Sequence, residues 1–359
     1  MMTWQSATDA SFPAALLERG QRCIDVGNVS PATSVVTIGP PVRYFPRPTA
    51  SMKISLGDLK YLRRISEGYF RTIPEAPSKP DPQQWRDDQL TLSWLGHSTV
   101  LINFYGAWIL TDPALRARVG VRVGPLTFGP KRYVAPALRA SELPPLDLLL
   151  LSHAHMDHLD VGTLRRLRRD VTVITAAATA DLLAPMRFRD VVEMSWGESC
   201  RFDAPHGGLS IEAFRVQHWG ARMRHDVNRG FNGYLLERHG RRICIAGDTA
   251  RTSFTAVGRK PTDVMVVPIG AYNPWIASHC TPEQAVEMAD QARARFVVPV
   301  HHQTFRLSRE PMDEPIQRFR RALSATRIAL SSVGETFVLP ATPALDRSSG
   351  RPIETALVG

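Results

Sequence analysis

The stretch 148-LLLLSHAHMDHLD-160 decides how this chain is read. An unbroken apolar run of this kind is expected of a strand buried on both faces. It leads directly into His153, His155, Asp157 and His158. Imidazole and carboxylate groups are costly to bury without partners, so a cluster of them at a buried strand end must hold something. Alternation along a strand puts His153 and His155 on one side. Asp157 and His158 come next, at the expected start of a helix, so four side chains can converge on a small volume. Neutral imidazoles and carboxylates suit zinc, iron or manganese. Four groups exceed the three that one open catalytic zinc needs. Two metals are therefore possible, provided that further ligands arrive from elsewhere.

Working outward, three more polar residues stand where apolar strands are expected to end. His218 closes 212-EAFRVQH-218, Asp248 closes 242-RICIAGD-248, and His301 closes 296-FVVPVH-301. With these, seven candidate ligands would serve two metals and leave positions open for water and substrate. Upstream, 90-LTLSWLGHSTVLINFYGAWILTDP-113 reads as strand, turn, strand, turn, strand, with Gly106 suited to a hairpin. A second tight turn is expected at His239-Gly240, and 263-DVMVVPIG-270 is another buried strand. A short amphipathic helix is expected over 161-VGTLRRLRR-169. A second helix opens at Thr281 as N-cap, with Pro282 first in the helix and Gln284 completing a capping box. A third covers 314-EPIQRFRRALSA-325. Strand clusters alternating with helices indicate a layered α/β or α+β sandwich.

Residues 1–88 differ in composition from the rest of the chain. Prolines punctuate them, and one helix is expected where Leu56, Leu59, Leu62 and Ile65 form an apolar face. They are read as an extension wrapping a main domain at 89–340, and 341–359 as a loose Ser/Pro/Arg-rich tail. Four cysteines, Cys23, Cys200, Cys244 and Cys280, form no CxxC pair, which argues against a disulfide framework or a thiolate zinc site and for a reducing cytoplasm. No apolar run is long enough for a transmembrane helix, and the N-terminus lacks the pattern of a secretory signal. The formal charge of +10 favours anionic partners. No consecutive basic block marks a nucleic-acid tail.

The motif SHAHMDHLD resembles the HxHxDH signature of the metallo-β-lactamase superfamily. Together with TLSWLGHSTV, LTDP, FGPKRYVAP, QHWGAR, AGDTA, IGAYNPW, HCTPEQAVEMA and HHQTF, it resembles one branch of it. That branch holds N-acylphosphatidylethanolamine phospholipase D and its bacterial relatives, and more distantly the ascorbate-6-phosphate lactonases. The likeness spans roughly residues 89 to 320 in the right order. It implies an α+β fold, a four-layer αβ/βα sandwich.

The resemblance also implies two divalent cations, zinc by default, with iron and manganese open. By position, one site would comprise His153, His155 and His218, and the other Asp157, His158 and His301, with Asp248 bridging them. The family's Trp-Gly after the last ligand is His302-Gln303 here, a departure that alters the site wall but removes no ligand. The implied activity is a dinuclear-metal-dependent hydrolase acting through a hydroxide shared by the metals. Its anionic substrate would be a phosphodiester of the N-acylphosphatidylethanolamine type, which entails peripheral contact with a membrane surface. The alternative is a phosphorylated lactone; a nuclease is the third reading, and no nucleic acid is expected.

His279 matches a family position that contacts the substrate phosphate, and is expected to bind substrate or transfer a proton. His97 and Asp112 are candidates for orienting ligands, against a structural hydrogen-bonding role or a simple turn. Tyr272, Asn273 and Trp275 either line the pocket mouth or merely pack. Arg222, Arg224 and Arg229 are expected to add to the attraction for anions.

Overall fold

Two hairpins show how the chain turns apolar runs into sheets. In the computed structural model, which describes residues 71–340 apart from Pro125, Arg224 and His225, β1 (Leu90–Gly96), β2 (Thr99–Phe104) and β3 (Ala107–Thr111) form an antiparallel meander. The turn between β2 and β3 places Tyr105 at φ 54° and Gly106 at φ 83°. Positive φ at both central residues is the geometry that matches the right-handed twist of the flanking strands. The same device recurs at His239 and Gly240, with φ 49° and 72°, between β11 (Gly233–Arg238) and β12 (Arg241–Ile245).

Further along come the small hairpin β4 (Val121–Val123) and β5 (Leu126–Phe128), then β6 (Leu148–Leu150), β7 (Thr172–Ala176) and β8 (Asp190–Met194). β9 (Ser199–Ala204) and β10 (Gly207–Phe214) lead to β11; β13 (Thr262–Pro268), β14 (Ala294–Val300) and β15 (Thr336–Val338) complete the strands. One seven-stranded sheet has the order β15-β1-β2-β3-β6-β7-β8, and a six-stranded sheet runs β14-β13-β12-β11-β10-β9. Each sheet is antiparallel at one end and parallel at the other: β3, β6, β7 and β8 are parallel neighbours in the first, and β12, β13 and β14 in the second.

Between the sheets lies a core that draws Leu92, Ile102, Ile109, Leu148 and Ile174 from the first sheet and Ile211, Leu236, Ile243 and Val298 from the second. Helices α3 (Pro282–Gln291) and α4 (Glu314–Ala322) cover the other side of the second sheet, burying Val286, Ala289, Ile316 and Phe319 against Met265 and Val267. The short helices α1 (Val161–Leu164) and α2 (Ala180–Leu183) accompany the parallel strands of the first sheet. The fold is an α+β sandwich of two mixed sheets with few helices. The capping box of α3 is formed as expected: Gln284 N donates to Thr281 Oγ1, and Thr281 N to Gln284 Oε1 at 3.0 Å.

Three local expectations differ from the structure. The helix expected over 161–169 stops after Leu164, because the next residues close tighter bonds: Arg166 N donates to Thr163 O and Leu167 N to Leu164 O. Asp157 and His158 do not start that helix. Its N-cap is Asp160, whose carboxylate accepts from Gly162 N and Thr163 N. The strands before His218 and Asp248 end sooner, at Phe214 and Ile245, so those residues stand on the loops beyond them. The helix around Leu56–Ile65, most of the extension, the tail after residue 340, and Cys23 and Arg224 lie outside the described residues.

Candidate metal centre

The polar residues singled out in the sequence gather at one edge of the sandwich, on loops that leave carboxyl ends of strands. Asp112 follows β3, His153 to His158 follow β6, Asp248 follows β12, His279 lies beyond β13, and His301 comes directly after β14. In sheets with parallel strands this is where ligands are bound. His153 is held there by an antiparallel bridge to Phe231, so its convergence with His155 comes from the loop and not from strand alternation.

Ligand atoms of His153, His155 and His218 all lie within 4.8 Å of one another, as do those of His97, Asp157, His158 and His301. Asp248 joins the two groups: its Oδ2 is 3.1 Å from His158 Nε2, 3.2 Å from His301 Nε2 and 3.9 Å from His218 Nε2. Both aspartates and all five imidazoles of the expected set therefore meet in one buried volume, with His97 and His279 added at its edges.

Hydrogen bonding fixes which nitrogen of three of these rings faces the centre. Ser152 Oγ donates to Asp112 Oδ2 at 2.7 Å, so it can only accept from His153 Nδ1, 2.9 Å away. Asp112 Oδ2 likewise accepts from His158 Nδ1 at 2.9 Å. The carbonyl of Ser278 accepts from His218 Nδ1 at 2.8 Å. Each ring is thereby left with Nε2 as its lone-pair nitrogen, the arrangement in which an outer acceptor orients a metal-binding histidine. The Nε2 atoms of His153, His155, His158 and His301 and Asp248 Oδ1 are buried without a hydrogen-bond partner. A lone pair on His158 Nε2 facing a carboxylate oxygen at 3.1 Å needs a positive charge between them. The donor set thus fits a divalent cation, and buried polar atoms left unpaired on this scale call for a positively charged partner.

Electrostatics agree. Burial holds His153 and His218 well below the ordinary imidazole range, and takes His155 and His279 down to about 4. Burial also opposes charge on Asp157 and Asp248, but the surrounding histidines overcome it and keep both well below the usual carboxylate range. For His158 and His301 the order reverses. Burial disfavours their cations, yet Asp248 and Asp157 win, raising His158 well above its usual range and His301 to about 9. Protons there take up the charge that a metal ion would supply.

Around the centre the backbone is strained. His97, Asp112, Ala271 and His301 have φ of 55°, 36°, 64° and 62°, values that L residues with side chains rarely adopt and that cluster at functional sites. His97 is fixed by its backbone: its N donates to Thr304 Oγ1 at 2.7 Å, and its O accepts from Trp94 Nε1. Its Nε2 meets Asp157 Oδ2 at 2.9 Å.

Other expected residues fall elsewhere. Tyr272 turns its hydroxyl to Glu314 Oε1 at 2.8 Å, with Arg318 beside it, so that hydroxyl anchors the loop and does not reach the cluster. Asn273 is exposed, its backbone N donating to Glu310 Oε2. Neither Arg222 nor Arg229 faces an incoming anion. Arg222 braces the histidine loop by donating to Ala154 O and Leu159 O at 2.9 and 2.8 Å. Arg229 is neutralised by Asp181 and Asp226. His302 is buried with its ring against Trp94, centroids 4.5 Å apart.

Sequence reasoning missed Ser152, Ser278 and Trp219. Ser152 sits inside the motif itself, but its value depends on Asp112 being beside it. Ser278 acts through a carbonyl, which no side-chain pattern reveals. Trp219 is 52% exposed and packs edge-on against His155, centroids 4.5 Å apart.

Comparison with known proteins points the same way. The beta-lactamase superfamily domain matches residues 107–302. An N-acyl-phosphatidylethanolamine-hydrolyzing phospholipase D of Caenorhabditis elegans is 32% identical over 254 residues, covering 66% of this chain and 70% of that protein. A metal-dependent hydrolase of Deinococcus radiodurans is 29% identical over 225 residues, covering 60% of this chain and 86% of its own. Among solved structures, a metallo hydrolase from the archaeon Ignicoccus hospitalis superposes with a TM-score of 0.53 at 21% identity, over 71% of this chain and 100% of that one.

Proposed function

We infer the function from one premise: this chain belongs to the beta-lactamase superfamily and is a metal-dependent hydrolase. We propose that it holds two divalent cations, zinc by default, and cleaves phosphodiesters of the N-acylphosphatidylethanolamine type in the manner of a phospholipase D. The observation that carries the metal reading is the set of histidines whose outer nitrogens are already bonded, leaving their Nε2 atoms in the cluster around Asp248, that of His158 3.1 Å from its Oδ2. In this reading His153, His155 and His218 hold one ion, Asp157, His158 and His301 the other, and Asp248 bridges them. Such a pair acidifies a water that it shares and stabilises charge on the attacked centre.

The residues of the chain supply position. Asp157 Oδ2, held by His97, orients the attacking water by accepting its hydrogen. His279 has Nδ1 at 3.9 Å from Asp248 Oδ2 and no hydrogen-bond partner on that atom. It sits just ahead of the α3 N-terminus, where partial positive charge favours a phosphate. From there its ring would contact a substrate oxygen or pass a proton to the leaving group.

A lipid substrate is supported by the loops that carry His218 and His279. Trp219, Met223, Val227, Trp275 and Ile276 are all exposed large apolar side chains. Aromatic rings of this sort favour the boundary between water and lipid. Among the described residues no helix is long and apolar enough to cross a membrane, so the contact proposed is peripheral. Asn273 and the ring of Tyr272 would form part of the mouth.

The test pairs metal analysis with a substrate panel. Purified protein should carry about two metals per chain, and should release phosphatidic acid from vesicles containing N-acylphosphatidylethanolamine. Asp248→Ala should lose metal and at least ~100-fold in rate. Opening of a phosphorylated lactone with no diester cleavage would replace the lipid reading, and full activity of Asp248→Ala would remove the bridging role.

A further inference from the structure

We propose that the cleft between the β4–β5 hairpin and helix α1 is a binding site for a phosphate group carried on an organic body, separate from the metal centre. The cleft has a volume of about 840 Å³. Among the described residues it is lined by Arg116, Arg118, Arg139 and Arg166, with Thr127, Ser141 and several apolar residues, and by no acidic residue. None of these residues belongs to the histidine and aspartate cluster.

The basic wall is built and not incidental. Arg116 packs closely over Gly162, where a Cβ would come within 2.2 Å of its Nη1 and force the arginine to shift. Its Nη2 donates to Thr127 Oγ1 at 3.2 Å. The carboxylate beside it, Asp160, is 3.9 Å away and spends its oxygens on Gly162 N, Thr163 N and Thr163 Oγ1. Arg166 Nη1 donates to Gly162 O, and Arg118 Nη1 to Gly129 O at 2.8 Å. Asp160 thus offsets part of the charge of Arg116, while Arg166, held by a neutral acceptor, keeps its charge for an entering anion. Arginine forks match phosphate oxygens in pairs, and like charges lining one cleft repel until an anion joins them. The apolar part of the wall suits the body that carries the phosphate. A soluble phosphate ester and a lipid headgroup share this chemistry.

Binding in the cleft does not depend on the reaction at the metals. Arg139 and Arg166 are exposed, so the double variant Arg139→Gln/Arg166→Gln should fold, with an unchanged melting temperature as the check. Metal-loaded protein is titrated with glycerol 3-phosphate by calorimetry and mixed with phosphatidylglycerol vesicles in a flotation assay. Both measurements are repeated after chelation, since metals also attract phosphate. Saturable binding of either probe that survives chelation, and that falls at least tenfold in the double variant, is the expected result. Binding of the soluble ester assigns a small ligand, and binding of vesicles alone assigns a headgroup. Equal binding by the variant, loss of binding on chelation, or no binding of either probe overturns the proposal.

Discussion

Asp112 organises the candidate metal centre from outside the proposed ligand set. One carboxylate accepts from Ser152 N, Ser152 Oγ and His158 Nδ1, at 2.7, 2.7 and 2.9 Å. Through Ser152 it also sets the proton of His153. Its conformation at φ 36° is the backbone cost of reaching all of them. Asp112→Asn keeps the shape but replaces one acceptor oxygen by a donor, so either His158 Nδ1 and Ser152 Oγ lose the oxygen they share or Ser152 N loses its acceptor. Metal affinity should fall by roughly 10- to 100-fold, measured by competition with a chromogenic chelator. An unchanged affinity would show that the rings are oriented by packing alone.

At the scale of elements, strand ends and helix starts decide where chemistry is presented. Short edge strands such as β9 and β15 were not legible: β9 buries only Phe202 fully, and β15 spans three residues at the sheet edge. Polar strands of this kind depend on a neighbour for their structure. By contrast the start of α3 was legible to the residue, because its cap is local. On the surface of the helical layer, Arg318 of α4 bonds Glu283 of α3 at 2.9 and 2.7 Å. That bond holds the Glu283 carboxyl down to about 2. A depressed carboxyl stabilises the fold above its unfolded value near 4.5, and the contribution fades as pH falls from there through about 2. The pair is partly exposed, so it is worth no more than about 1 kcal/mol. Glu283→Gln should lower the melting temperature by about 2 °C at about pH 7, and the difference should shrink near about pH 3. A gap that persists in acid would assign the effect to packing.

For the whole molecule, the histidine and aspartate cluster spans both sheets. His153 and His158 follow a strand of the first sheet, while Asp248 and His301 follow strands of the second. In the proposed reading a cation bound between them would bond the folded state only, so its removal would cost RT ln(1 + [M]/Kd). Chelation should lower the melting temperature by on the order of 10 °C, read by scanning calorimetry. A melting temperature indifferent to chelator would mean that the sandwich holds the cluster closed without metal.

The sequence by itself determined the α+β class, the family likeness and the identity of the polar groups at strand ends. Those signals are local: apolar runs, glycine turns, a capping box, and histidines placed where burial would otherwise penalise them. Only the tertiary structure decided which nitrogen three of the histidines present, since that depends on Asp112 and the Ser278 carbonyl coming in from other strands and loops. It likewise turned Arg222 inward to brace a loop and gathered four arginines into a cleft of their own. Orientation and charge compensation belong to pairs of groups, and pairs exist only after the chain has folded.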